Sequence, residues 1–409
     1  MNLLYDLRKA FFGEVAKKLG TVPDAKQVVL THLLPDRPEL LDAFNAVCPI
    51  ALVIGIPYST VPDVLAEVRK KYSVATPTLA ELLTPQFMTD LVGQTLIANP
   101  GVKLAIMEIG GYFAPALNAI HATFADRVVG FVEDTQNGHV RYEAARPLPY
   151  PVISVARSTL KEGEDTLVGP ACYFSADKLM RQLGVLLTPR RTLVVGYGKV
   201  GRGTAHALSK NYCPTTVCDI NPIRNCVAQG DGMLIPNRED ALRNADVVFG
   251  CTGVTSIAGA DFDLLNDECF LISCSSKNIE FDLATLNGPS FNMTNLIPNA
   301  DLYVSKTSGK KIYLLGRGTP INFIDGAVFG PALSLVQAEL ILASHAIHAE
   351  PVTGDLSEIA VEPRKTIAAL WQRDFIDGQS GSFPFLFERA AARFPAPAKM
   401  LSPNYESGC

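Results

Sequence analysis

Several patterns that would place this chain in a familiar class are missing. The nine cysteines include no C-x-x-C pair, and an odd count in a large chain indicates reduced thiols rather than a disulfide framework. Lys and Arg total 36 against 41 Asp and Glu, for a formal charge of −5, so nucleic acid is not an expected partner. The longest apolar runs, such as 49–56, have the length of a strand and do not predict a membrane span. The first residues carry Asp6, Arg8 and Lys9 and lack a signal-peptide core, so we expect a cytoplasmic protein.

Signatures of metal and hydrolase chemistry are also scarce. The six histidines form neither an H-E-x-x-H motif nor a Cys/His cluster, so no metal site is expected. His345 and His348 are three residues apart on a predicted helix, where a solvated or packing role is the simpler interpretation. The absence of a G-x-S-x-G elbow leaves a serine hydrolase unsupported. What remains is a chain of 409 residues, 48% of them hydrophobic, which at about 150 residues per domain predicts two or three globular domains.

Short apolar runs alternate with longer amphipathic runs in the first part of the chain. The predicted strands are 28–34, 51–56, 103–109, 127–132 and 151–156, and the predicted helices are 38–47, 61–72, 85–98 and 112–124. Continuous apolar strands separated by helices are typical of a parallel sheet that is covered on both faces. The pattern therefore predicts an α/β domain of roughly 160 residues.

A second series of the same kind follows. Its predicted strands are 191–195, 215–218, 246–250 and 269–273, with a hairpin of 302–304 and 311–315 around Ser308 and Gly309, and its predicted helices are 175–187, 202–210 and 330–348. The fold class that we predict is α/β with two doubly wound parallel-sheet domains.

The strongest chemical signal is the run G-Y-G-K-V-G, which follows a predicted strand and opens a predicted helix. Gly196 permits the tight turn, Gly198 lets the backbone approach a pyrophosphate, and Gly201 lets the helix pack closely on the sheet. The helix N-terminus at Lys199 and Val200 offers unpaired N–H groups and the positive end of the helix dipole to the phosphates. The second domain is therefore predicted to be a Rossmann-type, dinucleotide-binding domain.

The choice of dinucleotide is indicated by the end of the next strand. Asp219 stands there and would accept hydrogen bonds from both ribose hydroxyls of the adenosine half, while its charge would repel a 2′-phosphate. NAD is therefore favoured over NADP, although Arg224 lies nearby. Thr252 and Gly253 follow another strand, in a small loop at the strand end that a cofactor approaches in open α/β sheets.

Polar residues lie at or just beyond the carboxyl ends of the strands in the first predicted sheet. These residues are His32, Ser59, Thr60, Glu108, Glu133 and Asp134. Because the carboxyl ends of parallel strands share one edge, we expect these side chains to surround a ligand. Lys161 and Asp165 follow the last strand, at the junction with the cofactor domain. A lysine that faces a nicotinamide can take a hydroxyl proton while hydride leaves the same carbon.

At these residues the chain resembles the adenosylhomocysteinase family, over roughly residues 25–345. Residues 196–203 read GYGKVGRG and are similar to the family's GYGxVGKG. Residues 218–222 read CDINP and resemble its acid followed by I-D-P, and 309–315 with Asn322 are similar to its GxxIxLL…N. Residues 151–155 lead to Lys161 and Asp165 as in the segment with the family's catalytic lysine and aspartate.

The resemblance implies a redox-neutral cycle. Tightly held NAD oxidises the 3′-hydroxyl of an adenosine-type sugar, the ketone acidifies the 4′-hydrogen, and the 5′ substituent leaves before water adds and the electrons return. The implied roles are catalysis by Lys161 and Asp165, handling of the leaving group by His32, substrate contacts from Ser59, Thr60 and Asp134, and contacts near the cofactor from Thr135 and Asn322. A homo-oligomer is also implied.

The chain departs from the family at several positions of the substrate half. The acid that serves 4′-proton chemistry corresponds to Ile109, and the neighbouring Glu108 is the acid that we expect to act in catalysis. Two Gly-His pairs of the family are replaced by serines at 275–276 and by Gly-Pro at 330–331, and an asparagine is replaced by Thr166. The family's basic C-terminal tail, which ends in tyrosine, is absent.

These features predict a substrate domain at 1–165, rejoined by about 331–375, an NAD-binding domain at 166–330 and a C-terminal tail at 376–409. Three functions stay open. The first is an NAD-dependent enzyme that acts on an adenine nucleoside by 3′-oxidation and 4′,5′ elimination, either hydrolysing adenosylhomocysteine or dehydrating a nucleoside. The second is a simple NAD-dependent nucleoside or sugar dehydrogenase, and the third is a non-catalytic NAD-binding regulatory homologue.

Overall fold

The computed structural model describes residues 4–275, 278–326, 330–349 and 354–377. Its strands are β1 (Ala25–Leu33), β2 (Ile50–Thr60), β3 (Val74–Ala75), β4 (Lys103–Glu108), β5 (Val128–Glu133), β6 (Val152–Ser154), β7 (Thr192–Val195), β8 (Thr215–Cys218), β9 (Val247–Gly250), β10 (Cys269–Ser273), β11 (Phe291–Ile297), β12 (Ala300–Ser305), β13 (Lys311–Leu315) and β14 (Leu356–Ser357). Its α-helices are α1 (Tyr5–Leu19), α2 (Arg37–Val47), α3 (Pro62–Val68), α4 (Leu79–Leu82), α5 (Pro85–Ala98), α6 (Leu117–Phe124), α7 (Gln136–Ala144), α8 (Glu162–Gln182), α9 (Lys199–Lys210), α10 (Pro222–Gly230), α11 (Arg238–Asn244), α12 (Asp261–Leu264), α13 (Leu283–Leu286), α14 (Pro331–Ala346) and α15 (Val361–Phe375). Within these ranges no helix is long and apolar enough to cross a membrane.

The first sheet has the order β14-β6-β5-β4-β1-β2-β3, and its neighbouring strands pair in parallel. The strands are buried because helices cover both faces, with α1, α2, α14 and α15 contributing to one core and α5 and α6 to the other. The predicted parallel α/β sheet is confirmed. Its strands β1, β2, β4, β5 and β6 present their carboxyl ends along one edge, which we call the first rim.

The second sheet has the order β11-β12-β13-β10-β9-β7-β8. The strands from β7 to β10 and β13 are parallel, and β11 and β12 are antiparallel to their neighbours. The fold class, including the Rossmann-type second sheet and its hairpin, is confirmed. The sequence did not predict β11, because this strand lies at the sheet edge and carries exposed polar residues such as Asn292 and Thr294 instead of an apolar run.

The helix that joins the two sheets begins much earlier than predicted. Residues 175–187 were expected to form it, whereas α8 runs from Glu162 to Gln182. Gly163, Gly169 and Pro170 hide the helical pattern, because glycine and proline weaken a helix interior. Acidic residues of the first turn compensate through the helix dipole. The earlier start places Lys161 immediately before the helix and Asp165 within its first turns.

Helix α8 packs against the cofactor helix α9 at two glycines. A Cβ on Gly169 would lie 2.1 Å from the carbonyl carbon of Gly203, so the two backbones touch with no room for a side chain. This contact joins α8, which begins directly after Lys161, to α9, which begins in the glycine loop.

Replacing Gly169 by alanine is expected to destabilise the protein by about 1–3 kcal/mol, because the added methyl overlaps the backbone of α9. Gly163 on the same helix is the matched control, since a Cβ there would meet nothing within 4 Å. Gly163→Ala is expected to be neutral or to stabilise by up to about 1 kcal/mol. Urea unfolding measures both, and equal midpoints for the two variants would contradict this close packing.

The chain after the second sheet returns to the first. Strand β14 pairs with β6, and Ile341 of α14 and Phe375 of α15 are buried in the same core as Phe11 of α1. Helix α1 itself was not predicted. The proposed domain boundaries stay a prediction, and the predicted tail at 376–409 lies almost wholly outside the described residues.

Candidate active site

The glycine loop has the geometry that its sequence predicts. Gly196 has a φ of +93°, which favours glycine, and a Cβ on Gly201 would lie 1.8 Å from the carbonyl oxygen of Gly196. In contrast, a Cβ on Gly198 would meet nothing within 4 Å. Gly198 is also the N-cap of α9 and has no side chain to cap the helix. The N–H groups at Lys199 and Val200 therefore begin a helix whose open end can receive a phosphate.

Asp219 lies directly after β8 and reaches the glycine loop. Its carboxylate accepts hydrogen bonds from the backbone N–H of Tyr197 at 2.6 Å and of Asn221 at 2.7 Å. These bonds fix the side chain beside the loop, where a ribose attached to a bound pyrophosphate would lie.

The side chain of Glu280 supports the loop that follows β9. The buried carboxylate of Glu280 accepts hydrogen bonds from the N–H of Thr252 at 2.7 Å and of Gly253 at 2.6 Å. Burial raises the pKa of Glu280. On its other side the loop meets the first rim, because a Cβ on Gly253 would lie 2.9 Å from the side-chain nitrogen of Asn137 at the start of α7. The loop is therefore held by Glu280 on one side and is in close contact with the start of α7 on the other.

Lys161 is buried at the first rim. Its Nζ donates hydrogen bonds to Asp134 Oδ1 at 2.6 Å and to the Asp134 carbonyl at 3.1 Å. Burial alone would lower the pKa of Lys161, but the negative charges of Asp134, Glu164 and Asp165 outweigh it and raise that pKa above its ordinary value. Lys161 is therefore a charged, fully positioned donor.

Asp165 does not pair directly with Lys161. Its Oδ2 accepts a hydrogen bond at 2.6 Å from the Nζ of Lys199, the variable residue of the glycine loop. The predicted catalytic aspartate is thus connected to the predicted phosphate-binding loop by an ion pair. No pattern in the sequence predicts this contact, because the two residues lie 34 positions apart.

His32 and Ser59 form a second polar pair on the rim. The His32 Nδ1 and the Ser59 Oγ are 2.5 Å apart. The imidazole ring packs edge-on against Phe323, with the ring centroids 5.2 Å apart. Phe323 directly follows the buried Asn322, in the segment after β13 of the second sheet. His32 lies at the end of β1 and Asp134 directly follows β5. Because β4 lies between these two strands, the usual strand spacing separates the two sites by about 10 Å.

Glu108 does not face the cleft. Its fully buried carboxylate accepts hydrogen bonds from the N–H of Tyr112 at 2.5 Å and of Phe113 at 3.2 Å, and from the hydroxyl of Tyr142. Burial raises the pKa of Glu108 to about 8, and the neighbouring Glu133 contributes to this rise. The bonds from Tyr112 and Phe113 come from the loop after β4, and the bond from Tyr142 comes from α7. The Glu108 carboxylate therefore supports this loop, and its catalytic role stays a prediction.

Glu133 supports the same loop from β5. Its buried carboxylate accepts hydrogen bonds from the N–H of Gly110 at 3.0 Å and of Gly111 at 2.9 Å. It also accepts a bond from the hydroxyl of Thr135 at 2.7 Å, and Thr135 caps α7. Thr60, the other rim hydroxyl, donates to the carbonyl of Ile56 at 2.8 Å. Contacts of Thr135 with a cofactor and of Thr60 with a substrate stay predictions.

One acidic residue beside Lys161 was missed. Glu164 Oε2 lies 3.8 Å from Lys161 Nζ, one helical turn along α8. The i, i+3 spacing would have revealed it if the start of α8 had been predicted. Glu280 was also missed, and nothing in the sequence distinguishes it from an ordinary loop acid.

The fold is that of an α/β protein with two sheets, of which the second is Rossmann-type and carries a glycine loop that fits a dinucleotide. Residues 172–327 match the family model described as S-adenosyl-L-homocysteine hydrolase, NAD binding domain. The chain is 28% identical over 328 residues to an adenosylhomocysteinase of Sulfolobus acidocaldarius, covering 79% of this chain and 76% of the relative. The chain is therefore similar to adenosylhomocysteinases, and its cofactor is NAD.

Solved structures with similar folds are also found. A pyruvate reductase of Chlamydomonas reinhardtii aligns with a TM-score of 0.42 and 12% identity, covering 81% of this chain and 99% of the reductase. A 2-hydroxyacid dehydrogenase of Ketogulonicigenium vulgare aligns with a TM-score of 0.41 and 15% identity, covering 81% of this chain and 98% of the dehydrogenase.

The residues present fit NAD. Gly198 leaves open space at an uncapped helix N-terminus, Gly201 permits close packing behind it, and Asp219 stands beside the loop. These are the three features that a pyrophosphate and its adenosine ribose require.

Proposed function

We propose that this chain is an NAD-dependent enzyme that oxidises the 3′-hydroxyl of an adenine nucleoside transiently and eliminates its 5′ substituent. When bound, NAD supplies the oxidant for the hydroxyl and returns the electrons at the end of the cycle. The observation that carries the proposal is the buried ion pair of Lys161 with Asp134, at the start of the helix that packs on the cofactor helix.

The residues of the first rim have distinct roles in the proposed reaction. Lys161 binds the reacting hydroxyl and moves its proton, and Asp134 fixes the ammonium group and binds the sugar. Asp165 orients the cofactor side of the site through Lys199. His32, held by Ser59 at 2.5 Å, handles the leaving group about 10 Å away at the usual strand spacing. Asn322 binds the nicotinamide amide from the opposite wall.

Two outcomes are compatible with this chemistry. Water addition after elimination hydrolyses adenosylhomocysteine, and release without water addition dehydrates a nucleoside. Ile109, which is buried in an apolar core at the end of β4, replaces an acid of the family, so the substrate side differs from that of a typical hydrolase. This difference is compatible with dehydration as well as with hydrolysis.

Incubating the purified protein with adenosine in deuterium oxide tests the shared step. Reversible removal of the 4′-proton is expected to place deuterium at that carbon, and mass spectrometry with proton NMR detects it. Adenosylhomocysteine in a parallel reaction should release adenosine if the protein hydrolyses it. In the reaction with adenosine, a product that is lighter than adenosine by one water molecule would instead identify dehydration.

The two other functions give different results in the same experiment. A simple dehydrogenase would release reduced cofactor and a keto-nucleoside without exchange at the 4′ carbon. A regulatory homologue would bind NAD and leave each nucleoside unchanged. Either result, with NAD bound to the protein, would overturn the proposal.

A further inference from the structure

Lys161 lies at the centre of a cluster of charges from three elements. Asp134 follows β5 and pairs with the lysine at 2.6 Å, Glu164 on α8 lies at 3.8 Å, and Asp165 on α8 pairs with Lys199 of α9 at 2.6 Å. Two of the three carboxylates are thus occupied by short ion pairs. Glu164 is the third and is held differently.

One oxygen of Glu164 is buried and has no hydrogen-bond partner among the described residues. Its 3.8 Å distance from the Lys161 Nζ exceeds hydrogen-bonding range, so the ion pair leaves that oxygen unsatisfied. A buried, unpartnered carboxylate oxygen is costly. This costly oxygen of Glu164 lies beside Lys161, the lysine that the proposed chemistry uses. Glu162, on the same turn of α8, is exposed.

Oxidising a sugar hydroxyl releases a proton, and Lys161 cannot hold that proton while it is an ammonium group. An ammonium nitrogen has three donors and no acceptor. Three neighbouring carboxylates favour its charged form. The lysine must therefore pass a proton on before it can accept another, and the recipient must come within hydrogen-bonding reach of its Nζ in the substrate complex, directly or through one water.

We propose that Glu164 is the acceptor that stores the hydroxyl proton, through Lys161, while NAD holds the electrons; this inference rests on the proposed function. The Lys161 ammonium gives one proton to the Glu164 carboxylate, and the neutral amine takes the O–H proton of the sugar. NAD⁺, when bound, would supply the acceptor for the electron pair of the C–H bond that breaks as the C=O bond of the sugar forms. The final reduction reverses each transfer, so the cycle needs no proton from solvent.

The surroundings of Glu164 suit a carboxyl group that gains and loses a proton near neutral pH. Burial has the largest effect and raises the pKa of Glu164 to about 7. The positive charges of Lys161 and Lys199 lower this pKa, and the negative charges of Asp134 and Asp165 raise it. From α14, Glu339 faces Lys161 and is itself engaged by Ser158 at 2.8 Å and Arg364 at 2.7 Å. Both bonds reach Glu339 Oε1, and its Oε2 is buried without a hydrogen-bond partner among the described residues, as the Glu164 oxygen is. Glu164 is the nearer acceptor, because Lys161 forms its ion pairs with Asp134 and Glu164 and not with Glu339.

The first test uses Glu164→Gln and the matched control Glu162→Gln in cofactor-free protein. A carboxyl whose pKa is raised by folding contributes stability that is present below its unfolded pKa and is lost as the pH rises through the folded value near 7. The melting temperature of Glu164→Gln relative to the original protein is therefore expected to rise between pH 5 and pH 8. A difference that stays constant over this range would overturn the inference.

The second test follows nicotinamide absorbance in the NAD-loaded protein after adenosine is added, as a function of pH. Glu164→Gln is expected to slow cofactor reduction by about 10²-fold and to lose the pH dependence near neutrality, while Glu162→Gln keeps both. If the original protein reduces its cofactor and Glu164→Gln retains rate and profile, the proton-store inference fails and the proposed function stands. If the original protein reduces no cofactor with any nucleoside, both fail.

Discussion

Replacing Lys161 by methionine or by arginine is expected to slow oxidation of the bound nucleoside by about 10³-fold or more, at the upper part of the range for a proton-transferring group. Methionine has neither charge nor donor. Arginine keeps the charge that Asp134 requires at 2.6 Å, but its guanidinium does not give up a proton in proteins. Stopped-flow absorbance of the bound nicotinamide measures the rate.

The arginine variant separates chemistry from folding. Lys161→Met leaves the buried Asp134 and Glu164 without their cation and is expected to lower stability as well, whereas Lys161→Arg should keep most of it. Lys178→Met is a control on the same helix, since Lys178 is exposed and pairs with Asp325 at 2.5 Å. Its rate should stay within a factor of about two, because exposed ion pairs contribute little. A Lys161→Arg protein with the original rate would show that the lysine transfers no proton.

Replacing Asp219 by alanine is expected to weaken NAD binding by about 10²-fold, because hydrogen bonds from two ribose hydroxyls to a charged acceptor are lost. The variant also loses the bonds that the carboxylate accepts from Tyr197 at 2.6 Å and Asn221 at 2.7 Å. Asp219→Asn keeps an acceptor without the charge and should be intermediate. Calorimetric titration of cofactor-stripped protein gives the affinities.

The same variant is expected to change the preference between cofactors. Removing the carboxylate removes its repulsion of a 2′-phosphate, and the exposed Arg224 on α10 can then approach that phosphate. The ratio of NADP to NAD affinity should therefore rise by at least about 10²-fold in Asp219→Ala. Adding Arg224→Ala should reverse part of this rise. An unchanged ratio would mean that Asp219 does not face the ribose.

The sequence predicted the glycine loop well because each of its constraints is local. Gly196 requires a positive φ, Gly201 sits against the carbonyl oxygen of Gly196 at a distance that excludes any Cβ, and Asp219 follows the neighbouring strand. These features depend on a few consecutive residues and on one strand-to-strand step. They could therefore be read without knowing how the two sheets meet.

The environment of Lys161 could be predicted only in part. Lys161 and Asp165 were identified, but Gly163 and Pro170 hid the start of α8 and with it Glu164. The partner of Asp165 is Lys199, which lies on another element. Such a contact depends on the packing of α8 on α9, where Gly169 meets Gly203, and no local pattern encodes that arrangement.

Glu108 shows a different limit. An acid at the end of a strand in a parallel sheet predicts a ligand contact, and the same position equally suits support of the following loop. The backbone N–H groups of Tyr112 and Phe113 turn inward to the Glu108 carboxylate. Backbone donors carry no side-chain signal, so the sequence alone does not reveal that Glu108 supports this loop.

The most direct test concerns where the electrons go. Adenosine is added to protein loaded with NAD, and the mixture is passed at once through a gel-filtration column while the near-ultraviolet absorbance of reduced nicotinamide is recorded. We predict that this absorbance elutes with the protein, at no more than one equivalent per chain, and disappears when the cycle completes. Absorbance that elutes with the small molecules, or NAD-loaded protein that never develops it, would contradict a coenzyme that is retained and used transiently.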